Sequence, residues 1–358
     1  MSQIRLFTDL GAIPEGIPPC LLLIPFLGNH IGHNGYSAFE REGRDFLELA
    51  TLERSEIGLL PFDGQHLISH NSTKADRRAL DSAQRFVDRV ASSGRKTLVL
   101  VNSDSDLPLP LDNVIVLRTS LNRRTRRPWE FALPAWHEDL VATHWKGELK
   151  VREKAERPVV GFCGQAAMRR PGLKRMIKIG ARRVLRPFGV RIPHNDGVHL
   201  RREAMTRLRS SEQADCRFIV RSDYFGGALN DARARETARR EYIQNLEESD
   251  YALCVRGYGN FSFRFFEALS MGRVPLLVDT DCVLPYDFAV DYPSFCVIVP
   301  DHRLGGIGAS VARWHCGLSP QEFQGRQRLA REVWKTHLSP EGFFRRVAAH
   351  WRPEEQRL

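Results

Sequence analysis

SDYALCVRGYGNFSFRFFEALSMGRVPLLVDTDCVLP, Ser249 to Pro285, is the stretch around which the rest of the chain is organised. Tyr251 to Val255 is an apolar run of the length of a buried strand. The loop Arg256-Gly257-Tyr258-Gly259-Asn260-Phe261 follows, then Ser262 and a helical pattern from Phe263 to Met271. Gly272 stops that helix, and Val274 to Val278 is the next apolar run. Strand, glycine turn, helix and strand make one parallel crossover unit, and such units build an α/β sheet covered by helices.

The polar residues of this unit point to ligand chemistry. Open parallel sheets bind ligands beyond the carboxyl ends of their strands, where the Arg256–Ser262 loop lies. Gly257 and Gly259 allow close backbone approach. Asn260, Ser262 and the helix N-terminus offer donors to an anion such as a diphosphate. Arg256 and Arg264 add planar cationic forks. Glu267 shares a helix face with Arg264, one turn deeper, where it could accept from ribose hydroxyls. The competing reading is a tight turn followed by a surface ion pair.

These positions resemble the signature of exostosin-type glycosyltransferases. The elements, in order, are Ser249-Asp250, Cys254, Arg256-Gly257, Ser262, Arg264, Glu267, Gly272, Val274-Pro275 and Leu284-Pro285. The close likeness runs from Arg240 to Val299. Weaker echoes lie at Leu60-Pro61-Phe62-Asp63, around Asn102-Ser103-Asp104, and at Pro134 to Asp139. The resemblance implies the GT-B architecture, two Rossmann-like domains facing across a cleft. It also implies inverting transfer of a sugar from a nucleotide sugar, by family default a UDP-sugar, with the diphosphate on the second domain.

The chain has 358 residues, more than one core usually serves, so two domains are expected. Residues 1–150 read as an acceptor-side domain. Residues 151–335 read as the nucleotide-sugar domain, and 336–358 as a terminal helix of the kind that returns across the first domain in GT-B enzymes. In the first domain, strands are expected at Leu21–Phe26, Ile57–Pro61, Thr97–Val101 and Val114–Leu117, with a helix over Asp76–Ser92. Glu148–Pro158 reads as the linker. Val159–Cys163, Phe218–Val220 and Phe295–Val299 read as strands of the second sheet, and Asp231–Glu248, Pro320–Thr336 and Pro340–Trp351 as helices.

Polar groups at the first-domain strand ends supply candidates for a catalytic base. Asp63, ending a strand on the acceptor side, is the first choice, and His66 the second; His33 and Asp223 stay open. For each histidine the competing reading is an ordinary loop residue. His30, His33, His66 and His70 lack the spacing of a metal site. The cationic loop and the helix N-terminus already supply the charge a metal would bring, so no metal and no cofactor is expected. A metal-dependent GT-A enzyme is the rival, resting on the DxD patterns Asp279-Thr280-Asp281 and Asp104-Ser105-Asp106. A basic nucleotide- or anion-binding protein without turnover is the non-enzyme alternative.

The net charge of +10 gathers in Arg118–Arg127, Arg169–Arg191 and Arg201–Arg209. No nucleic-acid recognition pattern accompanies it. The stretch Arg169–Arg191, free of acidic residues, suits peripheral contact with an anionic membrane, or a core-packed helix with a solvated cationic back. Apolar content of 42% argues against disorder, and no segment approaches the ~20 apolar residues of a membrane span. Eukaryotic exostosins carry a membrane anchor, and none is visible here. Seven cysteines without a CxxC pair suit a reducing compartment. The expectation is a cytoplasmic enzyme, soluble or peripheral on the inner face of a membrane, acting on a glycan or lipid-linked acceptor.

Overall fold

A computed structural model describes residues 3–30, 32, 34–68, 75–166, 197–222 and 231–350. Among them lie two separate parallel sheets. The first comprises β1 (Ile4–Phe7), β2 (Leu47–Leu49), β3 (Ile57–Leu59), β4 (Thr97–Val101), β5 (Val114–Arg118) and β6 (Glu130–Ala132), in the order β2-β1-β3-β4-β5-β6. The second comprises β7 (Val159–Gln165), β8 (Asp215–Arg221), β9 (Tyr251–Cys254), β10 (Val274–Asp279) and β11 (Val297–Pro300), in the order β11-β10-β9-β7-β8. Every strand pair is parallel.

The continuous apolar run at Tyr251 is explained by burial on both faces, as parallel sheets require. Ala252 and Cys254 face a core shared with the Phe263–Ser270 helix. Tyr251, Leu253 and Val255 face the opposite core, shared with the Gly197–Ser211 and Ile307–Cys316 helices. Gly272 ends the Phe263–Ser270 helix at φ +61, and a Cβ there would stand 2.9 Å from the Gln327 carbonyl oxygen and 2.9 Å from Leu149. In the first sheet, the Arg77–Ala91 helix is capped by Asp76 and buries Ala79, Ala83, Phe86, Val87 and Val90.

The stretch Leu21–Phe26 is not a strand. Leu21–Leu23 is a 3₁₀ turn continued by the helical turn Ile24–Leu27. Pro25 has no N–H to give a ladder but suits the first positions of a helix, and Gly28 at φ +84 ends it. Leu21 to Ile24 are buried all the same, which is why the run is apolar. Three short strands, β1, β2 and β6, are not announced by the sequence.

Two segments cross between the sheets and lie against each other. On the outward path Leu133 and Trp136 join the first-sheet core, while Ala135, Leu140, Val141 and Trp145 join the second. On the return path Trp334 and Leu338 lie in the second core and Phe343, Phe344 and Val347 in the first. Trp136 Nε1 donates to the Leu338 carbonyl at 3.0 Å, and the ring of His137 packs on Trp334 at 5.5 Å. The Pro340–His350 helix thus joins the first-sheet core, Phe344 meeting Phe39 of the Ser37–Glu42 helix at 5.1 Å. The loops after β4 and β5 meet those after β9 and β10, so the strand carboxyl ends of the two sheets are turned toward one another. This is the expected α/β fold of two Rossmann-like units in the GT-B manner.

Candidate functional site

On the first-domain side, Asp63 follows β3 and begins the turn Gly64–Leu67. Its carboxylate accepts from the Gln65 N–H at 2.8 Å and from the Asn102 N–H at 3.2 Å, so its own turn and the end of β4 both hold it. Burial pushes its pKa up to about 6, with the two amides working the other way. Burial also pushes the Cys20 thiol and the Tyr36 phenol up to about 12, and the nearby Asp63 charge adds to both. His66 lies in the same turn; burial lowers its pKa, and its Nε2 has no hydrogen-bond partner among the described residues. His30 is exposed, within 3.1 Å of the Gly28 carbonyl and 3.2 Å of the Pro19 carbonyl. His33, His70, Asp223 and the Arg169–Arg191 stretch lie outside the described residues.

The loop after β4 is braced from below. Arg118, 1% exposed, pairs with Glu130 at 2.9 Å and donates to the carbonyls of Ser105 and Leu107 at 2.7 and 2.9 Å. Asp104 then reaches the second domain, where its Oδ1 accepts from the Gly259 N–H at 3.1 Å. Asp63 and the glycine loop are therefore joined through one short segment, Asn102 to Asp104.

The glycine loop is more occupied than its sequence suggests. Arg256 donates to the Tyr258 carbonyl at 2.6 Å and to Asn260 Oδ1 at 3.3 Å, folding the loop upon itself. The Asn260 N–H donates to Ser120 Oγ at 2.9 Å, and its side-chain amide bonds Asn122 and the Thr280 carbonyl. The amides of Gly259 and Asn260, expected to face an anion, are thus bonded to the first domain. Gly259 is needed for this approach: a Cβ there would stand 2.6 Å from Asp104 Oδ1. Gly257 lies near Arg201, which donates to the Arg256 and Gln165 carbonyls at 3.1 Å each. Ser262 holds the N-cap position with no side-chain cap bond.

Arg264 leaves the first turn of the helix toward the end of β7. It donates to the Cys163 carbonyl at 2.6 Å and lies 4.2 Å over the Phe162 ring. Gly164, at φ +154, makes room, since a Cβ there would stand 2.8 Å from Arg264 Nη2. The Arg264 Nε is buried without a partner among the described residues. Glu267 does not turn to Arg264. Its oxygens accept from Arg239 Nη1 at 3.0 Å and from the Tyr242 hydroxyl. Burial pushes the Glu267 carboxyl up, but His137, Arg239 and Tyr242 outweigh it and hold the pKa below the usual range. Arg239 and Tyr242 are hard to read in the sequence because their helix, Ala232–Glu247, has the charge density of a surface helix. Their i, i+3 spacing is the one available signal.

Both DxD patterns join loops. Asp279 Oδ1 accepts from the Asp281 and Cys282 amides, and its Oδ2 lies 3.5 Å from Arg123 of the first domain. Asp281, at φ +70, pairs with Arg123 and Arg124 at 3.7 Å. Asp106 accepts from Asn122 Nδ2 at 2.5 Å. Among the described residues no group of three His, Cys, Asp or Glu could hold a metal ion. Beside this junction a shallow, open crevice is lined by Thr119, Arg256, Asn260, Ser262, Phe266 and Thr280 among others.

Residues 189–309 match the family model described as the exostosin GT47 domain, and this segment includes the stretch from Ser249 to Pro285. The exostosin resemblance is thereby borne out. Over 103 residues the chain is 28% identical to an exostosin-1 homolog of Caenorhabditis elegans, covering 29% of this chain and 26% of that protein. Over 70 residues it is 39% identical to exostosin-1 of Drosophila melanogaster, covering 20% of this chain and 9% of that one. The likeness thus spans about a quarter or less of those relatives. Among solved structures, the chain is similar to TarM at a TM-score of 0.33 and 9% identity, over 71% of this chain and 54% of that. It is similar to a glycosyltransferase of Rickettsia africae ESF-5 at a TM-score of 0.34 and 8% identity, over 97% of both.

Proposed function

We propose that the protein is an inverting glycosyltransferase that moves a sugar from a nucleotide-diphosphate sugar, a UDP-sugar, to a hydroxyl of a glycan or lipid-linked acceptor. The exostosin GT47 match supports a glycosyltransferase. The observation that carries the mechanism is Asp63, a carboxyl tuned to about 6, joined through Asn102–Asp104 to the loop that leads into Arg264 and Glu267.

Asp63 takes the proton of the acceptor hydroxyl as its oxygen bonds to the anomeric carbon. The bond from that carbon to the diphosphate breaks on the opposite face, and its electron pair leaves with the phosphate oxygen. Arg264 and the first amides of the Phe263–Ser270 helix meet the growing charge there, which is electrostatic stabilisation of the transition state. A base with a pKa just below neutral is ionised at pH 7 and still basic enough to help. His66 stands beside Asp63 as the second candidate. Arg256 acts on the donor indirectly, by shaping the loop, and Glu267 meets the ribose. The reaction uses no metal: the carboxylates that would hold one serve the contact between loops.

The enzyme works at the cytoplasmic face of a membrane, soluble or peripherally attached. Among the described residues no helix is long and apolar enough to cross a bilayer, which agrees with that reading. The test is a thermal-shift screen over nucleoside diphosphates and their sugars, since specific binding raises apparent stability. Product analysis with the stabilising donor follows. Stabilisation by UDP together with transfer is the expected result. Binding without turnover on any glycan or glycolipid acceptor would favour the anion-binding protein instead.

A further inference from the structure

Glu267 and Arg264 stand three residues apart on one helix, a spacing at which opposite charges normally pair. Here they do not. Arg239, from the Ala232–Glu247 helix, forks between two carboxylates: Nη1 reaches Glu267 Oε1 at 3.0 Å and Nη2 reaches Glu138 Oε1 at 2.8 Å. Tyr242, one turn on, takes the other Glu267 oxygen, and its ring lies 5.5 Å under the Arg239 guanidinium. Glu138 is fixed in turn, because it belongs to the outward crossing segment. His137 beside it packs on Trp334, and Asp139 after it pairs with both Arg331 nitrogens at 2.7 and 2.8 Å. Arg239 therefore works from an anchored base.

We propose that Arg239 is a positioning residue of the donor site: by holding the charge of Glu267 it aims that carboxylate at the ribose and keeps it off Arg264, which stays turned toward the diphosphate. The inference rests on the donor reading above. Glu267 is 13% exposed and Arg239 34%, so the pair is screened less than a surface pair. Without Arg239, Glu267 is left with His137, already its near neighbour, and with Arg264 at i−3 on its own helix. Pairing with Arg264 would blunt both donor contacts together.

The test is a double-mutant cycle read by calorimetric titration of the intact chain with UDP and UMP. Arg239→Gln should weaken UMP about tenfold, the loss expected when one charge-assisted hydrogen bond ceases to serve the ligand, and UDP by more, because Arg264 is drawn off the diphosphate as well. Arg239→Lys, which keeps the charge, should lose less. In a Glu267→Gln background, Arg239→Gln should cost nothing further, because its effect passes through Glu267. Far-UV circular dichroism confirms that each variant is folded. Wild-type affinity in Arg239→Gln, with Glu267→Gln impaired, overturns this inference and spares the donor reading. Effects that multiply in the double variant also overturn it, since Arg239 would then act independently of Glu267. Wild-type affinity in Glu267→Gln, or no UDP binding by the wild type, overturns the donor reading itself and the inference with it.

Discussion

Replacing Asp63 by asparagine should inactivate the protein and stabilise it. The carboxyl moves from 3.8 to about 6 in the folded chain, because burial penalises its charged form more than the Gln65 and Asn102 amides favour it. At 1.36 kcal/mol per unit this is at most about 3 kcal/mol. The sign follows from proton linkage. A carboxyl with a raised folded pKa stabilises the fold only while protonated. That contribution is complete below about pH 4 and is lost as pH rises through about 6. At pH 7.5 the folded wild type carries the full cost of ionising Asp63. The neutral amide of the Asp63→Asn variant would carry none of it, though it keeps one acceptor oxygen where the carboxylate has two, a loss of about 1 kcal/mol. The net expectation is a gain of about 1–2 kcal/mol at pH 7.5, or a few degrees in apparent Tm, vanishing or reversing at pH 4. Turnover should fall by about 100- to 10,000-fold, the usual worth of a general base. The wild-type kcat/KM should lose its activity below an acid limb near pH 6. Thermal denaturation of both proteins at pH 4, 6 and 7.5, with initial rates on the same samples, reads all of this. A variant that keeps its turnover, or that is destabilised equally at every pH, would refute the reasoning.

On the proposed donor reading, in which Arg264 meets the diphosphate, Arg264→Ala should weaken UDP binding about ten- to a hundredfold and UMP binding less. Equal losses for the two ligands in a calorimetric titration would contradict that assignment. Transfer should persist in EDTA, and Asp279→Asn should keep turnover within about tenfold of wild type while weakening the contact with Arg123, a pair worth at most about 1 kcal/mol. Loss of activity in EDTA with recovery on adding Mn²⁺ would reverse the metal-free reading. Asp250→Ala should destabilise the chain by about 3 kcal/mol or more, because the carboxylate is fully buried between Arg152 at 2.7 Å and the Val159 N–H at 3.1 Å. An unchanged urea midpoint would mean that this buried anchor contributes nothing.

The parallel crossover from Tyr251 to Val278 was legible in the residues alone, because periodicity, a glycine stop and an uninterrupted apolar strand are local consequences of burial and backbone sterics. The same holds for the helix from Arg77 to Ala91, announced by Asp76 and an apolar face, and for β4 and β5. Leu21–Phe26 misled for a physical reason: a fully buried helical turn and a buried strand are equally apolar, and only Pro25 and Gly28 separate them. The placing of Asp63 at a strand end could be anticipated, but the shift of its pKa could not, since burial there depends on elements distant in sequence. Only the tertiary structure decided how the charges pair. Nothing local to Glu267 announces Arg239, 28 residues earlier, or ties Arg239 to Glu138, 101 residues away. Nor does the glycine loop reveal that Asp104 and Ser120 of the other domain take two of its amides. Local geometry follows from the nearest residues, whereas a side chain's partner follows from which faces the two sheets turn to one another.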